Sequence, residues 1–438
     1  MEKLLDVSEA GEVVAGETVG KQCEEHEEAD EQQGALHGRR AVGELGVARH
    51  RRSGQGGAES SGELRLLPVR YVRSLGPPLL IWAATTAVVV SCAAAFGYDP
   101  SRSATWARWD SIQYLGIAHD GYDLSHCTTS YTPADWCGDA GWFPAYPWLV
   151  RALHFVGLPL GGAAVAVSWF FAAATLVLLW NTFFKRRTDV TALGALVYAA
   201  WAPGQIYDYA VFPLSMLAFF TVAWLWFLHR GRYVAAGLSG AVAALTYPLG
   251  VLLIPVSALW LLAQRGSPWR ARLRRTAYAS GIAAFGVVAL LIDQRIETGH
   301  WNAYFLVQDK YHHSLQNPIA ATRDSLRPLV HGSPFALLTA PAFQTAVVTA
   351  ALLAVLVHTL LHRRTADRLD GLLIMWALAT WALPLSQAAV SIQRSQAALL
   401  PLAILLRRLP RPLLFALIAA AVPVAVAMEK LFLQGKIT

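Results

Sequence analysis

Charge is scarce in this sequence. Asp, Glu, Lys and Arg make up 15% of its 438 residues, against about a quarter in soluble proteins. The apolar residues, 55% of the chain, gather in long charge-free runs, so a water-soluble surface all round is excluded. Cysteine is scarce too. Four residues are too few for a disulfide framework. There is no phosphate-binding loop, no G-x-G-x-x-G after a strand and no G-x-S-x-G, so soluble nucleotide chemistry has no visible site. No apolar core follows the first residues, which argues against a signal peptide.

What is present is a membrane pattern. Tryptophan is abundant, at 16, and suits aromatic belts at both membrane surfaces. Residues 1–70 hold 14 acidic and 9 basic side chains, whereas the rest of the chain is net positive. Those basic residues cluster at the ends of apolar runs. They read as topology signals, not as a nucleic-acid surface, and no nucleic-acid partner is expected. Residues 1–64 carry E-E-H-E-E-A-D-E and R-H-R-R-S-G-Q-G-G with no periodic apolar face. They read as a disordered polar tail, and no function is placed there.

The domain from 65 to 438 reads as all-α and polytopic, with about eleven transmembrane helices. Leu79–Gly97 is 19 residues without a charge, enough to span. Arg65, Arg70 and Arg73 precede it, so the N-terminus is expected in the cytoplasm. Further spans are expected at 158–184, 190–207 and 209–228. The uncharged stretch 233–264 reads as two, broken near Thr246-Tyr247-Pro248-Leu249-Gly250. The remaining spans are expected at 276–292, 335–361, 371–392, 395–406 and 412–428. Basic runs alternate consistently with that order. It leaves two long polar loops, 98–157 and 293–333, on the same extracytoplasmic side. Within the first, Trp106–Ala118 reads as an interfacial helix with Trp109, Ile112, Leu115 and Ile117 as its apolar face. Trp142–Val156 reads as a second.

The first loop gathers most of the chemistry. Asp110 follows Trp109 at the start of the first interfacial helix. It is either a base in a partly apolar setting or a helix cap. His119, Asp120, Asp123 and His126 lie close together, but no zinc spacing fits and no metal is expected. The adjacent His312 and His313 do not face one site on a helix. Arg394 sits between apolar runs. It needs either a partner, such as a lipid-linked phosphate, or a route to bulk water. Asp208, with Gln205 and Tyr207, lies at another outer edge. Cys127 and Cys137 share one polar loop, and a disulfide between them is expected on an oxidising side.

The stretches R-W-D-S-I-Q-Y-L-G-I-A-H-D-G-Y and W-F-P-A-Y-P-W-L-V-R resemble the membrane mannosyltransferases related to the enzyme that adds the second mannose to glycosylphosphatidylinositol anchors, bacterial members included. E-T-G-H-W-N-A-Y-F-L-V-Q and S-I-Q-R-S-Q-A-A-L-L-P match later segments of that family in the same order. The resemblance runs from about 79 to 428. It implies a GT-C type fold with an extracytoplasmic active site. It implies a polyprenyl-phosphate sugar donor, mannose above others, and no cofactor. Asp110 would be the base and Arg394 a donor-phosphate contact.

Departures from the family bear on the substrates. Pro213-Leu214-Ser215 stands where a Ser-Glu-Ser-like element is usual. Tyr247 replaces an Arg before Pro, Ser395 a Tyr after Arg394, and Trp142 a Phe. A bacterial member would act on a cell-envelope glycolipid or glycan. The expectation is therefore an inverting glycosyltransferase embedded among membrane lipids. Arg108 would assist at the leaving phosphate, and Trp109, Tyr114 and Trp142 would stack on sugar faces. His119 and Asp120 are further candidates for substrate contacts. The rivals are a transporter or flippase of lipid-linked sugars and a scaffold of an envelope-synthesis complex.

Overall fold

The computed structural model describes residues 63–127, 135–309, 315–331, 336–387 and 391–437, except for the side chains of 63–72. Most of the tail read as disordered, and the His312-His313 pair, lie outside these residues. Apolar runs become helices because, without water, each backbone N–H and C=O has to be satisfied within its own segment. The chain begins with α1 (Glu63–Ala95), α2 (Ser111–Asp120), α3 (Ala145–Phe155) and α4 (Leu160–Thr182). There follow α5 (Val190–Ala200), α6 (Ile206–Tyr209), α7 (Leu214–His229), α8 (Tyr233–Thr246) and α9 (Leu253–Leu262). Next come α10 (Trp269–Thr276), α11 (Ile282–Thr298), α12 (Ala303–Asp309), α13 (Pro318–His331) and α14 (Ala340–Leu361). The last are α15 (Arg368–Ser386), α16 (Ile392–Ala397), α17 (Ala403–Leu406) and α18 (Arg411–Leu433).

Among the described residues, six helices are long and apolar enough to cross a membrane: Arg73–Ala95, Leu160–Thr182, Trp269–Thr298, Leu337–Leu361, Arg368–Ser386 and Arg411–Leu433. Five shorter apolar helices accompany them: Val190–Ala200, Leu214–His229, Tyr233–Thr246, Pro248–Leu262 and Ile392–Leu406. Each of these corresponds to one apolar run of the sequence. The chain is an all-α polytopic membrane protein. The break in 233–264 falls at Tyr247, which is extended (φ −161°, ψ 150°) because the following Pro248 disfavours a helical residue before it. Gly250 then lies so close to the Ala243 carbonyl that no side chain fits between them. Helices α8 and α11 approach equally closely. Gly240 sits 2.9 Å, measured from an added Cβ, from the Ala283 methyl, and Gly286 packs on the Ala241 backbone. Small residues permit such contacts between membrane helices.

Two expectations are corrected. The interfacial helix starts at Ser111, not Trp106, because Trp109 adopts a left-handed conformation (φ 53°) that a helix cannot include. Its buried face is Ser111, Tyr114, Ile117 and Ala118, whereas Trp109 and Ile112 point outward. The loop expected at 293 starts instead after Thr298. A continuous helical run from Trp269 passes through the π-helical turn Ala277–Gly281, and Gly299 (φ 78°) ends it in the left-handed conformation usual at a helix terminus. The second interfacial helix is present as α3. It tolerates Pro147 because the first turn of a helix needs no N–H partner.

The first polar loop packs on the end of α11. Gln294 Nε2 donates to Ala140 O (2.7 Å), and its Oε1 accepts from Tyr304 N (3.2 Å). The Tyr122 N–H donates to the Glu297 carboxylate. In the first loop a two-stranded hairpin, β1 (Leu124–His126) and β2 (Trp136–Gly138), pairs Ser125 with Cys137. A Cys127–Cys137 disulfide (Cα–Cα 5.0 Å) closes it.

Candidate active site

Asp110 and Arg394 are 284 residues apart in sequence and form an ion pair. Asp110 occupies the N-cap position of α2, yet its side chain makes no capping hydrogen bond. One oxygen accepts from Arg394 Nη1 instead. Arg394 lies on α16, a helix of six residues, and is 6% exposed. Its Nη2 donates to the Ser391 hydroxyl. Its Nε has no hydrogen-bond partner among the described residues. A buried guanidinium with an unused N–H is expensive to keep.

The backbone on both sides of this pair is strained. Four non-glycine residues among those described have positive φ: Trp109, Lys185, Arg186 and Ser391. Trp109 directly precedes Asp110, and Ser391 holds Arg394. The left-handed region costs about 1–2 kcal/mol for a residue with a side chain. Such outliers concentrate where the surrounding structure holds a group in place for a purpose.

An aromatic box surrounds the arginine. The Arg394 guanidinium carbon lies 5.5 Å from the Phe212 ring centroid, within cation–π range. Phe212 meets Tyr114 (5.9 Å), Tyr207 (5.3 Å) and Phe432 (6.1 Å). Val211 N donates to Trp106 O (2.9 Å), which ties the loop before Asp110 to the segment bearing Phe212. From α14, Gln344 Nε2 donates to Gln393 O (2.8 Å) and braces α16. Burial pushes the Tyr114 phenol well above its ordinary range, with Tyr247 and Asp110 adding to the effect.

The other expected site residues divide. Tyr114 lies in the box, packed edge-on against Tyr146 at 5.7 Å. Trp109 is partly exposed beside Asp110. Arg108 is engaged elsewhere: it donates to Leu433 O (3.1 Å), Ala104 O (2.6 Å) and Ala107 O (2.7 Å). It therefore fastens the end of α18 to the first loop. His119 and Asp120 pair with each other (2.6 Å) at the exposed far end of α2. At 1.5 Å per residue that end is about 14 Å from Asp110. Trp142 is buried, and its carbonyl accepts from Tyr122 Oη (2.7 Å). Asp208 is buried away from bulk water. No group of three metal-ligating side chains occurs among the described residues.

Sequence reasoning missed Ser391, Phe212 and Phe432. Each is an ordinary residue in an apolar or polar run, and only the tertiary fold brings it to the pair. Tyr247 carried a signal, as a departure from the family pattern. Asp139, another first-loop carboxylate, has no role assigned by the sequence; it is buried against Gly116 of α2 and accepts from Asp123 N (2.7 Å). Burial pushes this carboxyl up to about 7, against the opposing effect of the Asp123 N–H.

No family model matches the chain, and no curated protein matches it. Among solved structures it is similar to ArnT from Cupriavidus metallidurans, bound there to undecaprenyl phosphate. The TM-score is 0.48 and the identity 14%, over 80% of this chain. The chain spans 60% of the length of that neighbour. At that level of likeness the lipid is a property of the neighbour alone.

Proposed function

We propose that this protein is a GT-C type glycosyltransferase. It would move a sugar, mannose above others, from a polyprenyl-phosphate donor to an extracytoplasmic glycolipid or glycan by a single inverting displacement. The observation that carries this reading is the Asp110–Arg394 pair, buried and flanked by strained residues. The sequence resemblance in the first loop supports the donor class and mannose.

The chemistry follows from the two charges. Before substrate arrives, Arg394 orients Asp110. An incoming lipid phosphate competes for the guanidinium, whose Nε–H has no partner among the described residues. That competition releases Asp110. It takes the proton of the acceptor hydroxyl. The hydroxyl oxygen bonds to the anomeric carbon as the bond from that carbon to the phosphate oxygen breaks. Polyprenyl phosphate leaves with the electron pair, and Arg394 stabilises its charge. Asp110 ends the step protonated.

The test is transfer of radiolabelled mannose from polyprenyl-phosphate mannose by purified protein, comparing the original chain with Asp110→Asn. Transfer abolished only in the variant supports the reading. Full transfer by Asp110→Asn would sink it. The buried carboxylates Asp208 and Glu429 favour a transporter as the second reading. Movement of lipid-linked sugar across vesicles without any transfer would favour it over the enzyme.

A further inference from the structure

A groove of about 790 Å³ lies between the amphipathic helix α13 and the spans α14 and α15. Its floor is apolar: Leu352, Leu353 and Leu356 from α14, with Leu378 and Trp381 from α15. Trp381 Nε1 donates to Thr349 Oγ1 (3.3 Å), so the indole is fixed across the groove. Its roof is different. Arg323, Arg327 and His331 line it from α13 at intervals of four, a spacing that puts them on one helix face. Asp324 is the one carboxylate lining it, and it pairs with Arg323 at 3.4 Å in an exposed contact of small worth. Ile319 and Val330, on the same helix, are exposed apolar side chains.

We infer that this groove binds one anionic phospholipid of the bilayer, its phosphodiester headgroup under Arg323 and Arg327 and an acyl chain along the leucine floor. Apolar length beneath a cationic edge fits an anionic amphiphile, and neither half fits a soluble anion or a neutral lipid as well. Surface arginines next to a membrane attract anionic headgroups, and Leu353 and Leu378 offer exposed apolar area to a chain. The groove is joined to the site. Ala321 of α13, Leu385 of α15 and Ile392 of α16 pack together with Trp381, and Ile392 is two residues from Arg394. An occupied groove therefore holds α13 against the helix that carries the arginine.

This inference stands independently of the transfer reaction, because its test reads binding. The full chain, purified in an uncharged detergent, is titrated with phosphatidylglycerol, phosphatidylcholine or polyprenyl monophosphate. Retained lipid is counted by native mass spectrometry. One phosphatidylglycerol should be retained, about ten-fold more tightly than phosphatidylcholine. The double variant Arg323→Ala/Arg327→Ala should lose that preference, and Arg323→Lys/Arg327→Lys should keep most of it. Leu353→Trp should reduce retention with both arginines in place. Equal retention by the original chain and the alanine variant would overturn the inference. So would equal retention of the two phospholipids, and so would displacement of phosphatidylglycerol by equimolar polyprenyl monophosphate, which would assign the groove to an isoprenoid lipid.

Discussion

Two arginine–aspartate clusters stand at opposite ends of α15, and they are built on opposite principles. At its start, Asp367 caps the helix. Its side chain accepts from Asp370 N (3.1 Å) while Asp370 accepts from Asp367 N (2.9 Å), a reciprocal capping box. Arg408 bridges both carboxylates. The contacts there all serve the start of the helix, although one buried Asp370 oxygen has no hydrogen-bond partner among the described residues, and Asp367 has ordinary extended φ. Beyond its end, Asp110 declines the capping role its position offers, two neighbouring residues are strained, and Arg394 keeps an unpartnered N–H. The first cluster is explained by helix stability. The second reduces stability at each of those points and is explained only by a task.

The largest contrast should appear in activity. Asp110→Asn removes the base and should lower the transfer rate by about 10²–10⁴-fold, whereas Asp367→Asn should leave it within about two-fold. Comparable losses in both would erase the distinction. Stability separates the arginines next. Arg394→Gln leaves a carboxylate without its partner in a mostly buried setting and should destabilise by about 3–5 kcal/mol. Arg408 is 30% exposed but Asp370 is 2% exposed and would keep only its backbone donor, so Arg408→Gln should cost about 1–3 kcal/mol. Denaturation midpoints in detergent would measure both, and the reverse order would contradict this account. Ser391→Gly sets two stability effects against each other. Glycine relieves a left-handed residue, a gain of up to ~1 kcal/mol, but a second N–H of the buried guanidinium loses its partner, a loss of about 1–3 kcal/mol, so stability should change little or fall while transfer falls several-fold. A variant less stable and fully active would show that the strain has no functional part.

The last contrast is a pH slope at a carboxylate that pairs with no arginine among the described residues. Burial favours the neutral form of Asp139 up to about pH 7 in the folded chain, against about 3.9 unfolded. Its contribution to stability is complete below about pH 4, declines as pH rises and is lost above about 7. Melting temperatures from pH 5 to 8.5 should therefore fall less steeply in Asp139→Asn. An unchanged slope would assign it to other groups.

Much of the fold could be read from composition, because a membrane tolerates few arrangements of an apolar run. The break at Tyr247 was legible from Pro248 alone. The buried face of α2 was not. Trp109, Ile112, Leu115 and Ile117 read as one apolar face lying on the membrane surface, but Trp109 precedes the helix in a left-handed conformation, Ile112 is exposed, and the buried face is Ser111, Tyr114, Ile117 and Ala118. Asp110 and Arg394 each stood out for their type and setting. Nothing in a single sequence says that they meet, since the meeting depends on how α2 and α16 pack. The end of α11 was placed early for a related reason. Asp293, Arg295 and Glu297 look like loop residues, yet Gln294 and Glu297 bind the first polar loop from α11, and the helix runs on to Gly299.

The separation of Asp110 from Arg394 along the chain also governs when the site comes into being. Synthesis runs from the N-terminus, so the first loop is made and can be inserted long before α16 exists. Until then Asp110 lacks its counter-charge, and Leu433, the anchor of Arg108, has not been made. A nascent or prematurely terminated chain carries half of an ion pair and half of a clamp. Neither the pair nor the clamp can form until α16 and α18 have been made.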